Sequence, residues 1–477
     1  MSPNPRTLVL CFDGTSNEYD STNTNVVKFF SLLKKDNTDG QLCYYQAGVG
    51  TFFAPGVVSP LFQWFAKILD EAVAWYLNAH VMDGYNFLMQ NYRAGDEICL
   101  FGFSRGAYTA RALAGMLYKI GLLPRDNQEQ VPFAYKLYTK TDQVSVALSA
   151  GFKKTLVDKL MWECITAGTP MTKDLPFTSD NDGSIKVFRQ ALSLDEVCRA
   201  NVLKPTFMLI HWSHPFLKRR VRFKPNFFHR DTRVQGSTSV TSKSEVDLES
   251  SPTKDFEGQP APGMRRTLSD YFYKRISKRQ TREFAHRAQE QIAQPTDVLE
   301  CWFAGCHSDI GGGAVPNATK QSLANITLRW MVHHVKKSEC GIQFNEAELT
   351  ALGISPSSIP TSGPSKTNTS TASEAASTGG NDSPWRALAT LDASQPLDDQ
   401  LVKDPAWWIL EILPMRIRYQ DASSVMHTTY RWNLGRGRQI YGPNPYFHIT
   451  VKERLADKPL AYKPKAQWPE GTQIYVE

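Results

Sequence analysis

The sequence predicts an α/β fold: a mainly parallel sheet with helices on both faces, interrupted by disordered insertions. Three observations carry that expectation. Short apolar runs alternate with helical stretches through the first quarter of the chain, as a parallel sheet with crossover helices requires. One of those runs leads through Gly102-Phe103-Ser104-Arg105-Gly106 directly into an Ala- and Leu-rich helix. Two long polar stretches then break the pattern, with too few apolar residues to offset their ordering entropy.

Taken in order, Thr7–Phe12 reads as the first strand, 25–33 as a helix, and Gln41–Gln46 as a second strand ending in the turn Ala47-Gly48-Val49-Gly50. A long helical region covers about 58–92, Glu97–Phe103 is a third strand, and 107–120 a helix. Residues 57–65 are apolar enough for a lid or lipid-contact helix, but a core helix fits better. Residues 159–165 read as a strand with Glu163 near its end. The core resumes with a strand at 298–304, the run Gly311-Gly312-Gly313 and a helix over 320–337. Short β-like runs follow at 425–451. Residues 236–265 and 355–384 read as disordered, and 268–294 as a basic helical segment. The chain thus divides into a catalytic core (1–212 and 298–354), a basic insertion (213–297), a Ser/Thr-rich linker (355–384) and a C-terminal segment packing on the core (385–477).

With 477 residues, 41% hydrophobic and 21% charged, the chain is neither fibrous nor wholly disordered. Its net charge of +7 is concentrated: 213–297 holds 17 Lys/Arg against 10 Asp/Glu. A nucleic-acid footprint would more often be a basic face on the fold itself, so no nucleic-acid partner is expected. The apolar run at 8–12 is too short for a signal-peptide core, and no uninterrupted apolar stretch reaches about 18 residues. The eight cysteines form no C-x-x-C pair and no zinc spacing, and Cys11, Cys43, Cys99 and Cys301 lie in strand-like runs. That usage suits a reducing compartment, so the expected location is cytoplasmic, with peripheral membrane contact open through the basic insertion.

The chemistry centres on Gly102-Phe103-Ser104-Arg105-Gly106, a G-x-S-x-G string between a buried-type strand and a helix. That setting is what a nucleophile elbow requires: Gly102 and Gly106 let strand and helix approach, and Ser104 stands at the helix N-terminus. There the helix dipole and the Arg105 amide can stabilise an oxyanion. The fold expected is therefore α/β-hydrolase-like. Of the histidines after Ser104, His307 alone follows a core strand on a loop, which makes it the candidate base. Glu163 is the candidate acid, with Asp309 and Asp195 as alternatives. Gly14 and Thr15, after the first strand, could supply the second oxyanion donor, with Asp13 holding that loop. No cofactor and no metal is expected.

These residues carry a resemblance. The blocks FDGTSN, YYQAGVGT, GDEICLFGFSRGAYTARALAGMLYKIGLL, LPFT with ALSLDE, and WFAGCHSDIGGG are similar to the α/β-hydrolase family of type VI secretion phospholipase effectors. Uncharacterised fungal hydrolases share that catalytic domain. The resemblance implies a Ser–Asp–His triad and ester hydrolysis, often of phospholipids. It places the serine motif on Ser104 and the HSD-x-GGG motif on His307 and Asp309. The family's Trp-Asp-Thr-Val-like acid string falls on Trp162-Glu163-Cys164-Ile165, so Glu replaces Asp. Its His-Ala-Leu falls on Gln190-Ala191-Leu192.

The reading is a serine hydrolase of carboxylic esters, plausibly phospholipids, acting through an acyl-enzyme. A weak or inactive hydrolase-fold protein that binds membranes is the alternative. A phosphatase reading of Cys11-Phe12-Asp13-Gly14-Thr15 fails, because Cys11 stands where the nucleophilic Asp would be. The basic groups Lys218-Arg219-Arg220 and Lys274-Arg275 through Arg282, the latter beside the aromatics Tyr271, Phe272 and Tyr273, suit contact with an anionic membrane.

Overall fold

Side chains that alternate between two cores along the strands decide the layers. The computed structural model describes residues 6–14, 19–48, 70–140, 162–167, 185–196, 296–354, 384–403, 408–412, 415–420, 426–440 and 444–477. The apolar stretch 57–65, read as a core helix or else a lid, the polar stretch 236–265, the basic segment 268–294 and nearly all of 355–384 lie outside the described residues. In chain order the elements are β1 (Thr7–Phe12), α1 (Asn25–Leu32), β2 (Gln41–Gln46), α2 (Asp70–Asn91), β3 (Glu97–Phe103), α3 (Arg105–Ile120), α4 (Val131–Thr139), β4 (Trp162–Ala167) and β5 (Ile185–Ser193). There follow β6 (Asp297–Phe303), α5 (His307–Gly311), α6 (Leu323–Ser338), α7 (Glu346–Ala351), α8 (Pro384–Ala393), α9 (Gln400–Lys403), α10 (Trp408–Glu411), β7 (Met415–Gln420), β8 (Met426–Arg431), β9 (Tyr446–His448), α11 (Ile449–Ala456) and β10 (Ile474–Val476).

Leu8, Leu10 and Phe12 of β1 enter one core; Val9 and Cys11 enter the other. β3 splits the same way, with Ile98 and Leu100 on one side and Cys99, Phe101 and Phe103 on the other. Strands apolar on both sides must be covered on both sides. Helices α2, α3 and α4 close the first core, and α1, α6 and α7 close the second. The sheet runs β10-β9-β6-β5-β4-β3-β1-β2 and every described pairing in it is parallel. From β1 the chain moves to β2 on one side and to β3 on the other. The carboxyl ends of β1 and β3 therefore flank the switch point where open α/β sheets place their crevice.

Two features depart from the sequence expectation. β5 is a central strand that the apolar pattern did not reveal, because Lys186, Arg189 and Gln190 interrupt it. Its polar groups are matched by distant partners: Arg189 Nη2 bonds Asp297 Oδ2 at 2.5 Å, and Arg111 Nη2 donates to Gln190 Oε1 at 2.6 Å. The C-terminal segment does more than pack on the core. Its β9 and β10 extend the parallel sheet beyond β6, while β7 and β8 form a separate antiparallel ribbon.

Candidate active site

The elbow turns in one residue. β3 ends at Phe103, α3 begins at Arg105, and Ser104 between them takes φ 56° and ψ −125°. For a residue with a Cβ that backbone costs roughly 1–3 kcal/mol and persists only where its surroundings impose it. Here they do. A Cβ on Gly106 would stand 2.1 Å from the Phe12 carbonyl oxygen, and one on Gly102 would stand 2.4 Å from the Gly106 oxygen. Only hydrogens fit, so helix, β1 and β3 close on one another. Ser104 is left half-buried between buried Phe103 and Arg105. Arg105 N–H lies in the first turn of α3, at the positive end of the helix dipole.

His307 opens α5 just after β6. A capping box fixes that turn, with Asp309 Oδ2 accepting the Cys306 N–H at 2.8 Å. The His307 ring stacks on the Phe103 ring, centroids 4.5 Å apart and planes 27° apart. Phe103 immediately precedes Ser104, so this stack brings His307 and Ser104 to one rim of the sheet. The stack also explains Gly311, whose Cβ would fall 1.7 Å from Phe103 Cε2. Burial pulls the His307 pKa down to about 3, and the nearby Arg438 guanidinium acts in the same direction. The imidazole is therefore neutral near pH 7.

Asp13, buried at the end of β1, gathers its loop. Its Oδ1 accepts the Gly14 N–H at 2.7 Å and the Thr24 hydroxyl at 2.8 Å, and its Oδ2 accepts the Tyr45 hydroxyl at 2.8 Å. Burial raises its pKa, and those hydrogen bonds oppose the rise. The Gly14 amide, expected as an oxyanion donor, is thus engaged by Asp13. Thr15 lies outside the described residues.

The carboxylates sort differently from expectation. β4 continues to Ala167, so Glu163 is its second residue rather than near its end. It pairs in register with Cys99, while Phe103 pairs with Ala167. At about 3.3 Å per residue that sets the Glu163 backbone roughly 13 Å short of the rim. Its side chain lies outside the described residues. Asp309 Oδ2 also accepts the Asp398 N–H at 2.9 Å, and burial raises the Asp309 pKa to about 6. Asp195 Oδ2 accepts the Gly305 N–H at 2.7 Å and the Tyr462 hydroxyl at 2.6 Å; its Oδ1 accepts the Lys465 N–H at 3.0 Å. Both therefore clamp loops.

Glu196, which sequence reasoning passed over, is 6% exposed and stands at the carboxyl end of β5. Its carboxylate interacts with the His307 backbone N–H, and its Oε2 is buried with no hydrogen-bond partner among the described residues. Burial raises its pKa to about 7; Arg438 and the His307 N–H oppose that rise. The one available signal was the second acid of the Leu194-Asp195-Glu196 string, hidden because β5 itself was not seen. Arg438 comes from far down the chain and carried no signal. Among the described residues no group of three or more His, Cys, Asp or Glu side chains is arranged to hold a metal ion. None of their helices is long and apolar enough to cross a membrane.

Comparison with known proteins adds two findings. A family profile described as "T6SS, Phospholipase effector Tle1-like, catalytic domain" matches residues 6–334. The uncharacterised protein YEL023C of Saccharomyces cerevisiae is 26% identical over 530 aligned positions, covering 92% of this chain and 77% of its own. No solved structure matches.

Proposed function

Since the chain belongs to the T6SS Tle1-like phospholipase effector family through its catalytic domain, a hydrolase family of the phospholipase type, we propose that it cleaves carboxylic esters of lipids with Ser104 as nucleophile. The observation that carries this reading is the Ser104 backbone, held at φ 56° between two glycines that admit no Cβ, beside a neutral His307.

The proposed cycle balances without a cofactor. His307 takes the Ser104 hydroxyl proton as Oγ attacks the ester carbonyl carbon. The carbonyl oxygen becomes an oxyanion, held by Arg105 N–H and by an amide of the 13–15 loop. With Gly14 N–H on Asp13, that second role passes to Thr15 N–H. The C–O bond breaks, His307 returns the proton to the departing alcohol, and an acyl-enzyme remains. Water then attacks the acyl carbon, giving its proton to His307, and Ser104 is regenerated with release of the fatty acid.

The orienting acid must hold the imidazole and stabilise the imidazolium. The Trp162-Glu163-Cys164-Ile165 string names Glu163, but its register lies below the rim. Glu196 already touches the His307 main chain, and its second oxygen is buried with no partner among the described residues. We assign the orienting role to Glu196 and keep Glu163→Gln as the comparison.

The test is turnover of p-nitrophenyl esters and a fluorogenic phospholipid by wild type and Ser104→Ala side by side. The expected loss in the variant is about 10³-fold or more. Equal silence of both proteins on soluble and vesicle substrates would sink the hydrolase reading. It would favour the membrane-binding alternative, which the Glu in the acid string supports.

A further inference from the structure

Residues 408–412 and 432–436 flank the β7–β8 ribbon and are tied together at its base. Glu411, fully buried, is the tie. Its backbone oxygen accepts the Asn433 and Leu434 N–H groups, both at 3.1 Å. Its carboxylate accepts Asn433 Nδ2 and, at 3.1 Å, the Gly435 N–H. The Trp408 ring lies against Gly435, 3.1 Å from where a Cβ would stand. Four large apolar side chains remain in water around this knot: Trp408 at 43% exposure, Ile412 at 54%, Trp432 at 57% and Leu434 at 51%. Leu434 sits at φ 51°, a backbone that glycine or asparagine would take without strain. A soluble surface rarely gathers two tryptophans, an isoleucine and a strained leucine at one knot without a partner.

Two further observations say what covers it. The stretch 408–440 carries five arginines against two carboxylates, and one of those carboxylates is the buried Glu411. The same loop also reaches the rim of the sheet. Gln467 N–H donates to Arg438 O at 2.7 Å, Ala466 N–H to Leu194 O at 2.8 Å, and Lys465 N–H to Asp195 Oδ1 at 3.0 Å. This ladder sets Arg438 beside Glu196 and His307, within a few residues of the exposed platform.

We propose that the platform Trp408–Ile412–Trp432–Leu434 docks the protein on an anionic phospholipid membrane and turns the Ser104–His307 rim toward it. The proposal rests on the reading of the chain as a lipid-ester hydrolase. Tryptophan favours the headgroup level, where an amphipathic ring has one side apolar and one side wet. Arg436, exposed two residues past Leu434, is placed to meet lipid phosphates and the negative surface potential. A second copy of the chain is a poor occupant, because a self-complementary contact would bring Arg436 toward its own copy.

The experiment is cosedimentation with phosphatidylcholine vesicles containing about one third phosphatidylserine, a composition that supplies the anionic surface. Wild type, Ser104→Ala and the double variant Trp432→Ser/Leu434→Asn are compared, with gel filtration and soluble-ester turnover run in parallel. Trp432 and Leu434 are each more than half exposed and Asn tolerates the Leu434 backbone, so the fold is kept. The expected result is roughly tenfold weaker vesicle partition of the double variant, with Ser104→Ala binding like wild type and soluble-ester turnover unchanged by the double variant. Loss of vesicle binding in a protein that hydrolyses no ester would uphold docking while the hydrolase reading falls. Equal vesicle partition of double variant and wild type overturns docking, whatever the esterase result. A wild-type dimer that the double variant makes monomeric, with vesicle binding retained, assigns the platform to self-association and also overturns it.

Discussion

Replacing Ser104 by glycine should leave the protein more stable than replacing it by alanine, and that order is the reverse of the usual one. At ordinary helical or extended positions alanine is the better residue, because glycine loses more conformational freedom on folding, worth about 0.4–1 kcal/mol. Ser104 is at φ 56°, ψ −125°, and the alanine variant keeps a Cβ in that backbone. The strain it retains is roughly 1–3 kcal/mol, and glycine removes it. Subtracting the entropy term leaves the glycine variant about 1 kcal/mol more stable than the alanine variant. Neither variant should turn over ester. Urea unfolding followed by circular dichroism reads the difference as a shift in midpoint at unchanged slope. An alanine variant as stable as the glycine variant, or more so, would mean that Ser104 stores no strain, and the elbow reading would lose its physical basis.

Four other outcomes are expected. Gly311→Ala pushes a methyl group into the buried Phe103 ring that carries His307, so it should cost about 1–3 kcal/mol and lower turnover on the order of 10²-fold; wild-type turnover in a folded variant would remove the Phe103–His307 stack from the site. Turnover should rise with pH through about 7 as Glu196 ionises, since His307 is already neutral well below that pH, and Glu196→Gln should flatten this limb whereas Glu163→Gln should leave it. Burial holds the His448 pKa down to about 3 in the fold, so its stabilising effect is present above its unfolded value and is lost as pH falls; the stability gap between wild type and His448→Gln should narrow by about 1.4 kcal/mol per unit from pH 6 to 4, and a constant gap would contradict the neutral buried ring. Arg329→Met strands the buried Asp392 carboxylate, which Arg329 pairs, and should cost about 3–5 kcal/mol by denaturant melting, a loss that Asp392→Asn in the same chain should partly restore.

The sequence by itself determined the class of fold and the strand–turn–helix at the centre of the candidate site. Leu8, Leu10 and Phe12 against Val9 and Cys11 show in one short run that both sides of a strand are buried. Gly102 and Gly106 around Ser104 show a turn too tight for side chains. These are local statements, written by neighbours in the chain, and a periodic pattern records them. His307 was legible for the same reason, as a polar residue just past a core strand.

What only the tertiary structure decided depends on partners far apart in sequence. β5 was invisible because Arg189 and Gln190 look like loop residues until Asp297 and Arg111 are brought beside them. Asp309 and Asp195, the alternatives to Glu163 in sequence, show their loop-clamping bonds only where their oxygens meet the amides of Asp398, Gly305 and Lys465. Glu196 and Arg438 lie 242 positions apart and meet only because the C-terminal strands β9 and β10 join the sheet past β6. A carboxylate's role is fixed by which donors surround it, and a chain declares its donors only after it has folded.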